Sequence, residues 1–121
     1  MQNPEIKRSH VGVRMSELAV YNNTAYLAGQ VSADASLDIL GQTRSVLKQV
    51  DDLLAEAGTD KSQILMCQLF LSDLSNFAAV NQVWESWVVP GNTPPRATIQ
   101  AQLANPAWLI EVVVTAAVRA A

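Results

Sequence analysis

The stretch Pro90-Gly91-Asn92-Thr93-Pro94-Pro95-Arg96-Ala97-Thr98-Ile99-Gln100-Ala101-Gln102-Leu103 opens as a loop and continues as a strand. Its prolines and glycine stop any helix that precedes it. From Arg96 onward the residues alternate. Ala97, Ile99, Ala101 and Leu103 fall on one face, and Arg96, Thr98, Gln100 and Gln102 on the other. Arg96 follows two prolines, so a rigid turn fixes its backbone. A guanidinium held in this way suits a fork-on-fork grip on a carboxylate or phosphate. The plain alternative is an arginine at a strand end, solvated or paired with an acidic neighbour.

A short turn, Ala104-Asn105-Pro106-Ala107, leads to a second strand over Trp108 to Val118. This run is so apolar that both of its faces are expected to be covered. Its one charge is Glu111. A carboxylate in such a run either points to the solvated side of the sheet or has a partner, an interface or a job. The two strands read as a hairpin. With the turn centred near Asn105-Pro106, Arg96 pairs near Thr115, and about 13 Å of strand separates it from Glu111. On that register the two side chains share one ligand only across a subunit interface.

With 121 residues, half of them apolar, the chain builds one domain with its own core. Only 16% of the residues are charged, which is low for a small monomer and points to oligomerisation. Net charge is −3 and the pI is about 4.9, so a nucleic-acid partner has no electrostatic support. The N-terminus does not read as a signal peptide, and no apolar run reaches membrane-spanning length. Cys67 is the one cysteine and His10 the one histidine. They allow neither an internal disulfide nor a metal-ligand cluster, and the cysteine count fits a reducing cytoplasm. A lone His near the terminus reads as a solvated side chain.

Residues 1–10 read as an irregular lead-in. Val11 to Val20 reads as a strand, Asn22-Asn23 as a tight turn, and Thr24 to Val31 as the returning strand. Gly29 inside it marks a bulge, a close approach by a ligand, or simply a strand end. A helix is expected over about Leu37 to Ala57. Thr43, Val46, Leu47, Val50, Leu53, Leu54 and Ala57 form its apolar stripe, and Gly58 its C-terminal cap. Ile64 to Leu71 reads as a central strand covered on both faces, with Cys67 as a small buried hydrophobe. Asp73 or Ser75 caps a second helix over about Asn76 to Val88. Phe77, Val80, Trp84, Trp87 and Val88 form its stripe. Asn81 lies one residue beyond Val80 on this helix, and periodicity does not decide whether it faces a cleft.

The order is therefore β-β-α-β-α-β-β. It predicts an α+β, two-layer domain with two helices packed on one face of a mixed sheet. The other face, expected to carry Arg96, Thr98 and Gln100, is left uncovered and is where subunits would meet.

Three pieces carry a resemblance to a known family: Phe77-Ala78-Ala79-Val80-Asn81, Pro95-Arg96-Ala97-Thr98, and Ile110-Glu111-Val112. In kind and spacing they resemble the reactive-intermediate imine/enamine deaminase (Rid, YjgF-like) family. The hairpin ending Gly29-Gln30 and the helix end at Gly58 are also similar. The likeness runs from about Val11 to Val118 and is nearest to the short, YoaB-like bacterial members. It implies a chorismate-mutase-like homotrimer with ligand clefts between neighbouring subunits. It implies hydrolysis of reactive 2-imino acids and enamines to 2-keto acids and ammonia, a form of metabolite repair in the cytoplasm that uses no metal or cofactor. By resemblance, Arg96 would grip the substrate carboxylate. Glu111, from across the interface, would position or activate the attacking water. Asn81 would stand near the cleft, Gly29 would offer backbone contacts, and Thr98 and Met15 would line the site.

Such chemistry needs little beyond these groups. An imine carbon is already electrophilic, and a buried carboxylate both orients water and takes its proton. The chain departs from the well-characterised deaminases at three positions. It has Met15 where they have a tyrosine, Ala28 where they have a serine, and Thr98 where they have a cysteine. The polar lining is thinner, which keeps a second class open: a non-catalytic trimer that binds a keto acid or similar carboxylate. Endoribonuclease activity has been attached to relatives, and the acidic charge balance argues against it here.

Overall fold

The computed structural model describes residues 5–119. Seven strands and two helices follow in the order β1 Lys7–Val11, β2 Ser16–Tyr21, β3 Thr24–Leu27, β4 Gln30–Val31, α1 Ile39–Glu56, β5 Ile64–Leu71, α2 Phe77–Trp87, β6 Arg96–Gln100 and β7 Ile110–Ala117. The strands form one mixed sheet in the order β1-β2-β3-β7-β5-β6, with β4 also paired to β7. Both helices pack on one face, giving the expected two-layer α+β architecture.

Local chemistry explains the elements that were anticipated. Asn22 and Asn23 take φ values of 51° and 61°, which Asn tolerates, and so close the β2–β3 hairpin. Asp38 caps α1 by accepting from the Gly41 N–H at 2.8 Å. Gly58, at φ 82°, ends α1 in the left-handed region. The α1 stripe is buried at Thr43, Val46, Leu47, Val50, Leu53 and Leu54. It meets Leu69 and Leu71 of β5, Val112 and Val114 of β7, and Val80, Val83 and Trp84 of α2 in one core. Each such side chain contributes about 1.5–3 kcal/mol by leaving water.

Several expectations are corrected. The N-terminal lead-in is not wholly irregular. Lys7–Val11 forms edge strand β1, and a turn closed by Gly12 N–H to Met15 C=O at 2.8 Å separates it from β2. Residues 1–4 lie outside the described residues. His10 is not simply solvated: its Nε2 meets the Glu56 carboxylate at 2.8 Å and ties β1 to α1. Asp73 caps a short 3-10 turn, Leu74–Asn76, rather than α2 itself.

The larger correction concerns the last two strands, which are not a hairpin. β6 runs parallel to β5, and β7 runs antiparallel to β5 on its other side. β5, α2 and β6 therefore form a crossover unit, for which parallel pairing requires an intervening segment such as α2. Arg96 lies level with Cys67, and Cys67 with Val114. Cys67 points into the core, so Arg96, Thr98 and Gln100 share the helix-covered side. Ala97 and Ile99 take the open face, the reverse of the sequence assignment. β5 and β7 are likewise covered on one face only. Leu65, Met66 and Gln68 of β5 are exposed, and β7 alternates buried with half-buried residues.

Candidate active site

The candidate residues fall into two groups. The first is built on α2 and the start of β6. Phe77, Asn81 and Trp84 are spaced four and three residues apart, so they share one face of α2. The Arg96 guanidinium carbon lies 5.1 Å from the Trp84 ring centroid and 5.6 Å from that of Phe77. Both distances are within cation–π range, which contributes about 0.5–2 kcal/mol per contact and holds a long side chain in one place. Trp84 is buried, whereas Phe77 is 40% exposed and so is a lip rather than the core residue its place on the stripe suggested. The Asn81 side-chain oxygen is buried and has no hydrogen-bond partner among the described residues. An orphaned buried acceptor needs an N–H or O–H to complete it. Thr98, half-buried, follows Arg96 on the same side of β6.

Cys67 lies beneath this group. Burial pushes its thiol up to about 12, against a smaller downward pull from Arg96. It is a packed side chain and not a nucleophile at neutral pH.

The second group is built where β3 gives way to β4. Gly29 falls in that break, and the Glu111 carboxylate of β7 lies against it. A Cβ on Gly29 would stand 2.9 Å from the Glu111 carboxyl carbon and closer still to one oxygen. The sequence left Gly29 open between ligand approach, bulge and strand end. It is a strand end whose missing side chain makes room for Glu111. Met15 is 49% exposed, just before β2, whose Glu17 C=O accepts from the Ala28 N–H at 2.9 Å. Met15 thus lies toward the Gly29 end of the sheet.

These two groups do not meet within the chain. Glu111 is level with Phe70 and Arg96 with Cys67, three residues apart across two strand spacings, or about 14 Å in all. Glu111 also faces the open side of the sheet, and Arg96 the helix side. The ion pairs among the described residues are His10–Glu56 and Lys48–Asp52, so neither Arg96 nor Glu111 is charge-paired. Hollows of about 360 Å³ beside Trp108 and about 240 Å³ beside His10 touch neither residue. The expected separation holds, although the hairpin from which it was reasoned does not exist.

Sequence reading missed the amides that brace the second group. Gln30 is 5% exposed, and its Nε2 donates to Glu17 Oε2 at 2.8 Å and to the Ala28 carbonyl at 3.0 Å. Gln49, from α1, donates to Gln30 Oε1 at 3.2 Å. The one available signal was a glutamine beside the apolar stripe of α1.

One chain is therefore an α+β domain bearing two separated groups, an aromatic-shelved arginine and a glycine-seated carboxylate. Comparison with known proteins places this fold in a family. The family model described as Endoribonuclease L-PSP matches residues 7–118. A RutC family protein of Haemophilus ducreyi is 49% identical over 113 residues, 93% of this chain and 97% of that protein. The RutC family protein YoaB of Escherichia coli K12 is 41% identical over 93% of this chain and 98% of its own length. A crystal structure of a YjgF family member from Neisseria meningitidis superposes with a TM-score of 0.89 at 38% identity, covering 97% of this chain and 98% of that one. The chain belongs to the Rid/YjgF family.

Proposed function

We propose that the protein hydrolyses reactive 2-imino acids and their enamine tautomers to 2-keto acids and ammonia, at sites completed between copies of the chain. One observation carries this: the positive and the carboxylate halves are both fully built, yet lie on opposite faces about 14 Å apart. The apolar open face offers a way to join them. Tyr26, Met66 and Ile99 are each more than 40% exposed on this face, which also carries Glu111. Covering that face with the edge strand β6 of a neighbour would bring the neighbour's Arg96 toward Glu111. Three copies arranged in this way close a ring, the homotrimer implied by the sequence resemblance.

In such a site Arg96 binds the substrate carboxylate in a bidentate grip, oriented by Phe77 and Trp84. The buried Asn81 oxygen takes a guanidinium N–H as Arg96 settles. Thr98 and Met15 line the cavity, and the Gly29 backbone approaches the reacting carbon. Glu111 accepts a proton from water as the water oxygen attacks C2, and passes it to the imine nitrogen. The resulting carbinolamine collapses. Its C–N bond breaks as Glu111 takes the hydroxyl proton and delivers it to the nitrogen, so that ammonia leaves and the C2 carbonyl forms. The substrates arise wherever dehydratases release imines, in line with a cytoplasmic location.

Met15 and Ala28 favour a second reading, a carboxylate-binding trimer without turnover, because each removes a hydroxyl from the site, and Thr98 exchanges a thiol for a hydroxyl. An endoribonuclease reading, suggested by the family description, has a net charge of −3 against it.

The test is keto-acid release from 2-iminobutanoate generated in situ by an amino-acid oxidase. Wild type accelerates release over buffer, Arg96→Ala loses the effect mainly through KM, and Glu111→Gln loses kcat while keeping carboxylate affinity. If wild type matches buffer across several imines, the deaminase reading fails and the binding reading takes its place.

A further inference from the structure

We propose that Gln49, on α1, is a positioning residue for the Glu111 half of the site; this rests on the deaminase reading above. Glu111 forms no ion pair among the described residues, and its carboxylate is placed by the space beside Gly29. Where the Gly29 backbone sits therefore decides where the carboxylate sits. Gly29 falls in a gap of the sheet: β3 pairs with β7 as far as Tyr26↔Thr115, and pairing resumes in β4 at Gln30↔Val112. Backbone in such a gap needs other partners to hold it.

Two glutamine amides supply them. Gln49 Nε2 donates to the Val31 carbonyl at 2.9 Å and to Gln30 Oε1 at 3.2 Å. Its Oε1 accepts from the Ala33 N–H at 3.2 Å and the Ser45 hydroxyl at 3.4 Å. Gln30 Nε2 in turn holds the Ala28 carbonyl and Glu17 Oε2. Every donor and acceptor of both amides is used, so the orientation of each is determined. Exchanging N and O on Gln49 would set an NH2 against the Ala33 N–H and an oxygen against the Val31 carbonyl. The residues on either side of Gly29 are thereby fastened to the long helix α1, one through the other. A residue needed only to fill space between α1 and β4 could be apolar. This one makes four directed bonds, two of them to the strand that leads out of Gly29.

Two variants separate positioning from simple stitching. Gln49→Met keeps the volume and removes every bond. Gln49→Glu keeps the acceptor for Ala33 and removes both donors. Each is compared with wild type on 2-iminobutanoate generated in situ, with Tm recorded in parallel. The expected result is a fall in kcat of about 10- to 100-fold with KM within about threefold, because Arg96, on the other half, is untouched. Lys48→Ala, the neighbouring residue on the solvent side of α1, leaves both constants unchanged. Folded variants with wild-type kcat, or with the loss confined to KM, overturn the proposal while the deaminase reading survives. Loss of folding in both variants marks the bonds as structural and overturns it too. A wild type without turnover overturns the deaminase reading and this inference together.

Discussion

Replacing Gly29 by alanine separates the stability of this protein from its chemistry. Gly29 is not at a positive φ, so alanine meets no backbone strain there. What it meets is Glu111, with the carboxyl carbon 2.9 Å from the new Cβ. Ordinary carbon–carbon contact needs about 3.5–4.0 Å, so the carboxylate must retreat by roughly 1 Å. The retreating group is the free end of a flexible side chain on the open face, and it moves at little cost to the fold. For a base that must meet one water, a 1 Å displacement is expected to cost about 100-fold in rate. Gly29→Ala is therefore expected to melt within about 2 °C of wild type, a shift worth well under 1 kcal/mol, while kcat for 2-imino acid hydrolysis falls by about two orders of magnitude. Differential scanning fluorimetry and the coupled imine assay measure the two effects. Full activity would refute the placement of the reacting water beside Glu111. A collapse of Tm would refute the claim that Gly29 serves the carboxylate rather than the sheet.

Two further outcomes follow from named positions. Gly58 sits at φ +82° with open space around it, so Gly58→Ala should cost only backbone strain, about 1–2 kcal/mol, seen as a Tm lowered by several degrees without loss of activity. The Cys67 thiol is raised from 9.0 to about 12 by burial. The native state thus favours the neutral thiol. Its contribution is complete below pH 9 and is lost as pH rises from 9 towards 12, because the unfolded chain ionises first. Urea midpoints across that range should fall more steeply for wild type than for Cys67→Ala, and parallel slopes would contradict the burial argument.

Much of the architecture could be read from local chemistry. The α1 stripe, the Asn22-Asn23 turn and the Gly58 cap each depend on residues close in sequence, and each is where it was expected. Arg96 and Glu111 stood out because a fixed arginine and a carboxylate in an apolar strand are individually unusual, whereas Asn81 was marked only by the family resemblance. The errors came from questions that alternation does not answer. The period of β6 separates Arg96 from Ala97, but it does not say which side the helices take. An apolar strand after a short turn looks like a hairpin partner, although α2 had already set β6 parallel to β5. The run Ile64–Leu71 reads as buried twice over, yet Leu65 and Met66 lie on a face that one chain leaves bare. Strand β1 escaped notice because Lys7, Arg8 and His10 carry the polar character that protects sheet edges. The amide chain through Gln49 joins residues 16–19 positions apart, and no pattern in a single sequence records such a pairing.

The division of the site between chains is tested most directly by mixing two dead proteins. Arg96→Ala and Glu111→Gln are each purified, combined in equal amounts, unfolded and refolded together. If each site takes Arg96 from one chain and Glu111 from its neighbour, random assembly leaves about one site in four with both residues intact. Imine hydrolysis should then recover to about a quarter of the wild-type rate, while either variant refolded alone stays inactive. A mixture as inactive as its components, with mixed oligomers confirmed by native mass spectrometry, would contradict a site shared between subunits.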